Sequence, residues 1–98
     1  MSTERIRIDK WLWHARFHKT RPLAQAATVK GHIRINGRRI EKASVEVKPG
    51  DTLTIPRGNQ VVVVRVLGCG MRRGPAAEAQ ALYQILNDDA LDPEPPAP

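Results

Sequence analysis

Basic side chains crowd the first half of this 98-residue chain. The stretch from Asp9 to Gly37 reads DKWLWHARFHKTRPLAQAATVKGHIRING, in which cations alternate with aromatic and aliphatic residues. Residues 5–42 contain eleven Lys or Arg against Asp9 and Glu41 alone, which gives +9, while the whole chain carries +6. Such a field favours polyanions, meaning nucleic acid or an anionic membrane surface. The first chemistry that the residues predict is therefore phosphate binding.

The start of a second helix is the sharpest candidate for a phosphate site. Thr20 is a predicted N-cap and Pro22 suits the first turn, where its missing N–H costs nothing. Free backbone N–H groups and the positive end of the helix dipole favour a phosphate there, and Arg21 adds a bidentate guanidinium. We expect Arg21 to be exposed, so that Arg21→Glu changes stability by no more than about 0.5 kcal/mol.

Cations from three elements are expected to converge on the same phosphate groove. Lys10 and Arg16 come from the first helix, Arg21 from the second, and Arg34, Arg38 and Lys42 from a hairpin. Structured RNA is held in this way, by shape and phosphate contacts more than by base contacts. The alternative is that these charges are ordinary solvated surface groups.

The aromatic residues of the first helix admit two interpretations. Leu12 and Ala15, with at least one tryptophan, are predicted to pack inward. Base stacking on Trp13 or Phe17 is the alternative, but aromatic platforms are typical of single-stranded RNA binding, so partial burial in the core is favoured.

Three other patterns fail as catalytic, metal or cofactor sites. His14 and His18 have the i, i+4 spacing of metal ligands, but no neighbouring Cys, Asp or Glu completes a zinc set. The segment GCGMRRG at 68–74 lacks the glycine spacing and the second strand of a dinucleotide site, so its glycines are interpreted as turn residues. Cys69 has no positioned histidine and acid, and is predicted to be a small, semi-buried residue. We therefore expect no enzyme activity, metal or cofactor.

Local signals predict an α+β domain in which two N-terminal helices pack on a small, mostly antiparallel sheet. Asp9 is the predicted N-cap of a first helix that runs to about His18, and the second helix runs from Thr20 to Gly31. The remaining elements are a hairpin over 32–40 around Asn36-Gly37, a turn at 49–51, strands at 52–55 and 61–67, and a helix over 75–87 with Ala79, Leu82, Tyr83 and Leu86 on one side.

Composition limits the class of protein. With Cys69 as the single cysteine no internal disulfide is possible, which favours a reducing cytoplasm. No apolar run approaches the ~20 residues of a membrane span, and the N-terminus lacks the apolar stretch of a signal peptide. Residues 88–98, DDALDPEPPAP, form an acidic, proline-rich tail predicted to be disordered. Residues 1–87 are thus expected to form a single domain.

Several short segments also resemble, in order and spacing, the S4 RNA-binding domain. They are RIDKWL at 7–12, TRPLA at 20–24, KGHIRING at 30–37, Lys42-Ala43-Ser44 and VKPGDTLTI at 47–55. This core motif covers residues 5–55. Over 56–87, VVVVRVL and RRGPAAEAQALY are similar to the bacterial S4 subgroup of fifteen-kilodalton heat-shock, ribosome-associated proteins.

The resemblance implies a non-catalytic protein that binds structured ribosomal RNA on the large subunit, in the recycling or quality control of stalled ribosomes. A cytoplasmic monomer is expected. Together with the charge pattern, it predicts RNA contacts from Arg5, Lys10, Arg16, Lys19, Thr20, Arg21, Gln25, Lys30, Arg34, Asn36, Arg38, Lys42 and Ser44.

Other functions stay open at this point. The chain could be a general nucleic-acid-binding or adaptor module that uses its terminal helix and acidic tail. It could also be a relative of the S4 domains that are appended to RNA-modifying enzymes, although the 43 residues after Ile55 are too few for a catalytic domain.

Overall fold

A computed structural model describes residues 4–86 of the chain. The helices are α1 (Ile8–His14), α2 (Arg21–Val29) and α3 (Ala76–Gln80). The strands are β1 (Ile6–Arg7), β2 (Arg34–Ile35), β3 (Arg38–Arg39), β4 (Glu46–Val47), β5 (Thr52–Arg57), β6 (Gln60–Val66) and β7 (Tyr83–Ile85). The predicted α+β class is confirmed.

The strands form one five-stranded antiparallel sheet and one separate pair. The large sheet has the order β3-β2-β5-β6-β7, and β1 pairs with β4. In the central β5·β6 ladder Leu53 lies opposite Val64 and Ile55 opposite Val62, and all four side chains are buried. Side chains alternate between the two faces of a strand, so this register presents one apolar face to the helices.

The core lies between that sheet face and the first two helices. Trp11 and Leu12 of α1 and Ala24 of α2 are completely buried, together with Ile33 ahead of the hairpin. The indole Nε1 of Trp11 donates to the Gly68 carbonyl at 2.8 Å, so this buried polar group has a partner. The prediction that at least one tryptophan packs inward is confirmed.

The first helix is shorter than predicted. It ends at His14, and Arg16 takes the left-handed conformation with φ 66°. The Phe17 N–H then donates to the Leu12 carbonyl at 2.9 Å, and the Arg16 N–H to the Trp13 carbonyl at 3.1 Å. This is the Schellman arrangement of a helix C-terminus, here with an arginine where glycine is usual. After this turn Phe17 packs against the core.

The second helix begins and ends as predicted. The Thr20 Oγ1 accepts the Leu23 N–H at 3.2 Å, and Pro22 occupies the first turn. After Val29 the chain again turns through a left-handed residue, Gly31 with φ 80°. A Cβ at Gly31 would also meet the guanidinium of Arg39, but that side chain is exposed and can move, so the left-handed conformation is what favours glycine there.

The Asn36-Gly37 hairpin is confirmed. Both residues have positive φ, 52° and 82°, as the central residues of a type I′ turn must. The turn at 49–51 is also present, with Gly50 at φ 99°.

The predicted helix over 75–87 is wrong. The helix ends at Gln80, and Tyr83–Ile85 forms the edge strand β7, with Tyr83 opposite Val66 and Ile85 opposite Val64. The apolar spacing of this segment fits a helix as well as a strand. The segment forms a strand because the edge of β6 has backbone N–H and C=O groups with which it can pair. The periodicity of the segment gives no information about that distant edge. The predicted disordered tail at 88–98 lies outside the described residues.

Candidate nucleic-acid interface

The buried carboxylate of Asp9 links the first turn of α1 to the N-terminal half of α2. Asp9 is 0% exposed, although it lies in the first turn of α1. Its Oδ2 accepts the Gln25 amide at 2.9 Å and the Arg21 Nε at 3.3 Å, and its Oδ1 accepts the Arg7 Nε at 3.1 Å. We call these four residues, Asp9, Arg7, Arg21 and Gln25, the Asp9 cluster. The predicted N-cap role of Asp9 is wrong, because Arg7 occupies the N-cap position.

The Asp9 carboxyl is stabilised as an anion. Burial alone would raise its pKa, but hydrogen bonds from Gln25 and Arg7 and the charge of Arg21 outweigh burial and lower the pKa below the ordinary 3.8. The carboxylate therefore stays ionised at neutral pH and attracts both guanidiniums continuously.

Both arginines of the cluster keep part of their surface in solvent. The Arg7 side chain is 44% exposed and the Arg21 side chain 37% exposed, while Asp9 lies beneath them. A guanidinium carries five N–H donors, and Arg21 uses only its Nε on Asp9. Its terminal nitrogens can therefore contact a phosphate while Asp9 restrains the side chain. This corrects the expectation that Arg21 stands free of the fold.

The charges of Lys10 and Arg21 both act on the buried His14. The His14 side chain is 1% exposed, and its Nδ1 lies 3.2 Å from the Cys69 carbonyl oxygen. Burial lowers the pKa of His14, and the charges of Lys10 and Arg21 lower it further, which places both cations near one imidazole. His14 is thus a neutral structural residue at pH 7.

The described residues contain no cluster of three or more His, Cys, Asp or Glu side chains suited to a metal ion. Cys69 is buried, and burial raises the pKa of its thiol. Its carbonyl, like those of Gly68 and Gly74, accepts a hydrogen bond from α1 or from the turn that follows it. The glycine-rich segment therefore packs against α1.

Two polar candidates are engaged within the protein. Gln25 donates to Asp9, as described above. The Asn36 amide nitrogen donates to Asp51 at 3.2 Å, and its oxygen accepts the Thr52 N–H at 2.9 Å. These bonds give both residues a structural role, and their contact with RNA stays a prediction.

The hairpin separates two of its predicted cations. Arg34 lies opposite Arg39, whereas Arg38 lies opposite Ile35. Neighbouring pairs of a ladder face opposite sides, so Arg34 and Arg38 point away from each other. Arg38 lines a shallow cavity of about 380 Å³ with Ile35, Asn36, Ile40 and Val45. The register thus places the two arginines on opposite faces of the hairpin, and their contact with one RNA groove stays a prediction.

Arg16 was predicted to lie within the first helix, but α1 ends at His14 and Arg16 follows it. Its Nε donates to the Gly74 carbonyl at 2.6 Å, and the residue remains exposed. The other predicted contacts also lie at exposed positions: Arg5, Lys19, Thr20, Lys30, Lys42 and Ser44.

Arg7 was missed by the sequence reasoning. It precedes Asp9 by two residues at the end of a strand, and this Arg-x-Asp spacing was the only local signal of the pair. An Arg and an Asp at this spacing are ordinarily both solvated. Only the packing of α2 over Asp9 shows that the Arg7–Asp9 pair is part of the contact between the helices.

No helix within residues 4–86 has the length and apolar character needed to cross a membrane.

Known proteins resemble this chain over most of its length. The S4 domain family matches residues 6–53. Heat shock protein 15 of Escherichia coli K12 is 44% identical over 79 residues, which is 81% of this chain and 59% of that protein. The RQC P-site tRNA stabilizing factor of Bacillus subtilis is 40% identical over 86 residues, which is 88% of this chain and 98% of that protein. The chain thus spans about three fifths of the first relative and nearly all of the second.

A solved structure agrees with the fold. Heat shock protein 15 of Vibrio cholerae superimposes with a TM-score of 0.82 at 36% identity, covering 90% of this chain and 87% of that one. That structure is described as trimeric, which is at odds with the monomer expected from the sequence.

Proposed function

The chain belongs to the S4 domain family, in the group of heat shock protein 15 and the RQC P-site tRNA stabilizing factor, and on that premise we propose its function. It is a non-catalytic protein that binds structured ribosomal RNA on the large subunit. It acts in the cytoplasm, in the recycling or quality control of stalled ribosomes.

The Asp9 cluster is the observation that carries the proposal. An arginine fixed by a buried carboxylate loses less side-chain freedom when it binds a phosphate than a free surface arginine does. Arg7 and Arg21 both meet this condition, and Arg21 also lies at the start of α2, where backbone N–H groups favour an anion. Two guanidiniums held over one carboxylate can therefore contact adjacent phosphates of a folded RNA backbone.

The surrounding cations extend this contact. The charges of Lys10 and Arg21 both act on His14, and Lys19 and Thr20 directly precede Arg21 in the chain. We propose that this helix face makes the principal RNA contact and that Arg34 and Arg38, which face opposite ways, do not act on the same phosphate. Binding by the backbone of a structured RNA suits such a surface, because guanidinium and ammonium groups recognise phosphates without base information.

The place of action follows from the relatives. The Bacillus subtilis relative, of which this chain covers 98%, is named for stabilising P-site tRNA. A protein with a cationic helix face that matches nearly all of that relative is suited to the same place, where ribosomal RNA and tRNA meet. We therefore propose large subunits that retain peptidyl-tRNA as the target, in preference to empty subunits.

Sedimentation of the purified chain with ribosomal particles tests this proposal. Large subunits carrying peptidyl-tRNA are compared with empty large subunits and with small subunits at one salt concentration. We expect co-sedimentation to be strongest with the peptidyl-tRNA complex and weakest with small subunits. Equal binding to all three particles would contradict the proposed target and would indicate a general nucleic-acid-binding protein.

A salt titration tests the electrostatic part. Neutralising about five phosphates gives a slope of about −3.5 to −4.5 for the logarithm of affinity against the logarithm of salt concentration. A slope near zero would contradict phosphate binding by the cationic face.

A further inference from the structure

A second cavity lies where the turn after α1 meets α3 and β7. Its volume is about 180 Å³, and no residue of the Asp9 cluster lines it. Its lining combines aromatic, cationic and small residues: Phe17, Tyr83, Arg16, Arg57, Gln80 and three alanines. Drug-sized ligands occupy roughly 300–1,000 Å³, so this cavity suits a single small ring system.

One wall of the cavity is a fixed aromatic surface. The Phe17 and Tyr83 ring centroids lie 4.8 Å apart with 50° between their planes. Behind Phe17, the buried Trp11 stacks at 5.9 Å with 25° between the rings. Both cavity-lining rings are half-buried, so packing restrains them while part of each ring stays accessible.

Two guanidiniums border the same wall. The Arg57 guanidinium carbon lies 5.7 Å from the Phe17 ring centroid, within the range of a cation–π contact. Arg16 is oriented by the bond from its Nε to the Gly74 carbonyl, which leaves its terminal nitrogens for other acceptors. Both residues are exposed, and neither forms an ion pair with a carboxylate of the described residues within 4.0 Å. The cavity thus joins an aromatic surface to an uncompensated positive rim.

We propose that this cavity binds one unpaired nucleotide of RNA, with the base against Phe17 and Tyr83 and the phosphate at Arg16 and Arg57. A nucleotide has the planar apolar faces and the negative charge that this lining requires. The Gln80 side chain offers one donor and one acceptor, the pair that matches the N6 and N7 of adenine. The proposal rests on the proposed function, to which it adds a second and base-reading contact.

Entry of the base requires a small movement. The Arg57 guanidinium lies over the Phe17 ring, so it must move outward before a base can reach that ring, and it can then contact the phosphate. Arg57 ends β5 beside the turn at Gly58, and its exposed side chain can make this shift without moving the sheet.

Titration of the whole chain with AMP, followed by proton NMR, tests the cavity directly. The chain has one phenylalanine and one tyrosine, so the ring signals of Phe17 and Tyr83 are unambiguous. We expect AMP to shift both sets of ring signals to saturation and ribose 5-phosphate to leave them unchanged. Equal shifts with both compounds, or none with AMP, would overturn the proposal.

Two arginine variants provide the matched comparison. Arg57→Ala and Arg65→Ala each remove one exposed cation from the β5·β6 ladder. Arg57 lies on the same face of the sheet as the buried Leu53 and Ile55, whereas Arg65 lies on the other face. Loss of a cation–π and phosphate contact worth about 1 kcal/mol weakens AMP binding about fivefold in Arg57→Ala. Arg65→Ala changes it less than about twofold. Equal effects of both variants would mean that AMP responds to the overall charge of the protein and does not bind in the cavity.

RNA hairpins separate this proposal from the proposed function. One hairpin carries a single bulged adenosine, and the other is fully paired with the same stem. We expect the protein to bind the bulged hairpin more tightly and Arg57→Ala to abolish that preference while paired-stem binding persists. Equal binding of both hairpins by the parent protein overturns the cavity assignment alone. AMP binding without binding of either hairpin overturns the proposed RNA function, and with it the assignment of the nucleotide to RNA.

Discussion

Asp9 and Asp51 are both buried acids that join segments distant in sequence. Asp9 is 0% exposed and bonds to Gln25 in α2, and Asp51 is 6% exposed and bonds to Asn36 in the hairpin turn. Burial would raise the pKa of each carboxyl, but hydrogen bonds and nearby cations lower it in both cases.

The partners of the two acids differ in kind. Asp51 accepts the backbone N–H of Lys48 at 3.0 Å and the Lys48 ammonium at 3.1 Å, so it closes the turn before β5. Asp9 instead restrains two arginines whose outer edges face solvent. Burial of an acid therefore does not distinguish a structural residue from one that prepares a binding surface. The two kinds of acid differ in whether the paired cation keeps solvent-facing hydrogen-bond donors that a ligand can use.

The largest effect is expected from Asp9→Asn. This variant keeps the shape but removes the charge that holds Arg7 and Arg21, and charged hydrogen bonds contribute about 1.5–3 kcal/mol each. Both arginines can rehydrate, so we expect a loss of about 2–3 kcal/mol in the free energy of unfolding, measured by urea denaturation. A loss below about 1 kcal/mol would mean that Asp9 does not anchor the helices.

Arg21→Glu should affect both stability and binding. The new carboxylate faces the buried Asp9, so we expect unfolding free energy to fall by about 1–2 kcal/mol, more than the 0.5 kcal/mol expected without the contact. RNA affinity should fall at least ~10-fold, which corresponds to about 1.4 kcal/mol.

Lys48→Glu is the control for Arg21→Glu, because it reverses the cation paired with the other buried acid. Its RNA affinity, measured by filter binding below the unfolding transition, should change less than ~3-fold. Equal losses in the two variants would place the binding face elsewhere.

Asp51→Asn should lower unfolding free energy by about 1–2 kcal/mol, since its amide oxygen can still accept the Lys48 N–H. RNA affinity of the folded variant should remain within about twofold of the parent. A large loss of affinity at unchanged folding would show that the hairpin turn belongs to the binding surface.

The smallest expected effect is the loss of stability at low pH. Both aspartates have folded pKa values below the unfolded value of about 3.9, so their stabilisation is complete above that pH and is lost as pH falls through the folded pKa. Each contributes at most about 1.4 kcal/mol per pH unit. We expect urea midpoints to fall already below about pH 6.5, because buried His14 gains its proton only on unfolding, and to fall further below pH 4, where the aspartates titrate. The fall below pH 4 should be less steep in either Asn variant. Identical slopes in the parent and both variants would contradict the lowered pKa values.

Much of the fold could be predicted from short segments. Thr20 caps α2 through a bond three residues away, Gly31 ends it, and Asn36-Gly37 turns the hairpin. These signals operate within one turn of backbone, so the sequence contains both partners of each contact. The family was also recognisable, because its short motifs recur in order along the chain.

The candidate site was predicted less completely. The cationic character of residues 5–42 is a property of composition, and it pointed to phosphate before any geometry was known. Which cations share a face was not predictable, since the β2·β3 register puts Arg34 and Arg38 on opposite sides.

The sequence by itself therefore determined the charge of this protein, the second helix, the hairpin turn and the family. Only the tertiary structure decided that Asp9 is buried, that Tyr83 joins a sheet edge and that Arg57 lies over Phe17. In each of these three cases the deciding partner lies 16 or more residues away along the chain, as Gln25 does from Asp9, so it is brought near only when the core closes. Local propensity acts over a few residues, whereas burial and pairing depend on the whole packed domain.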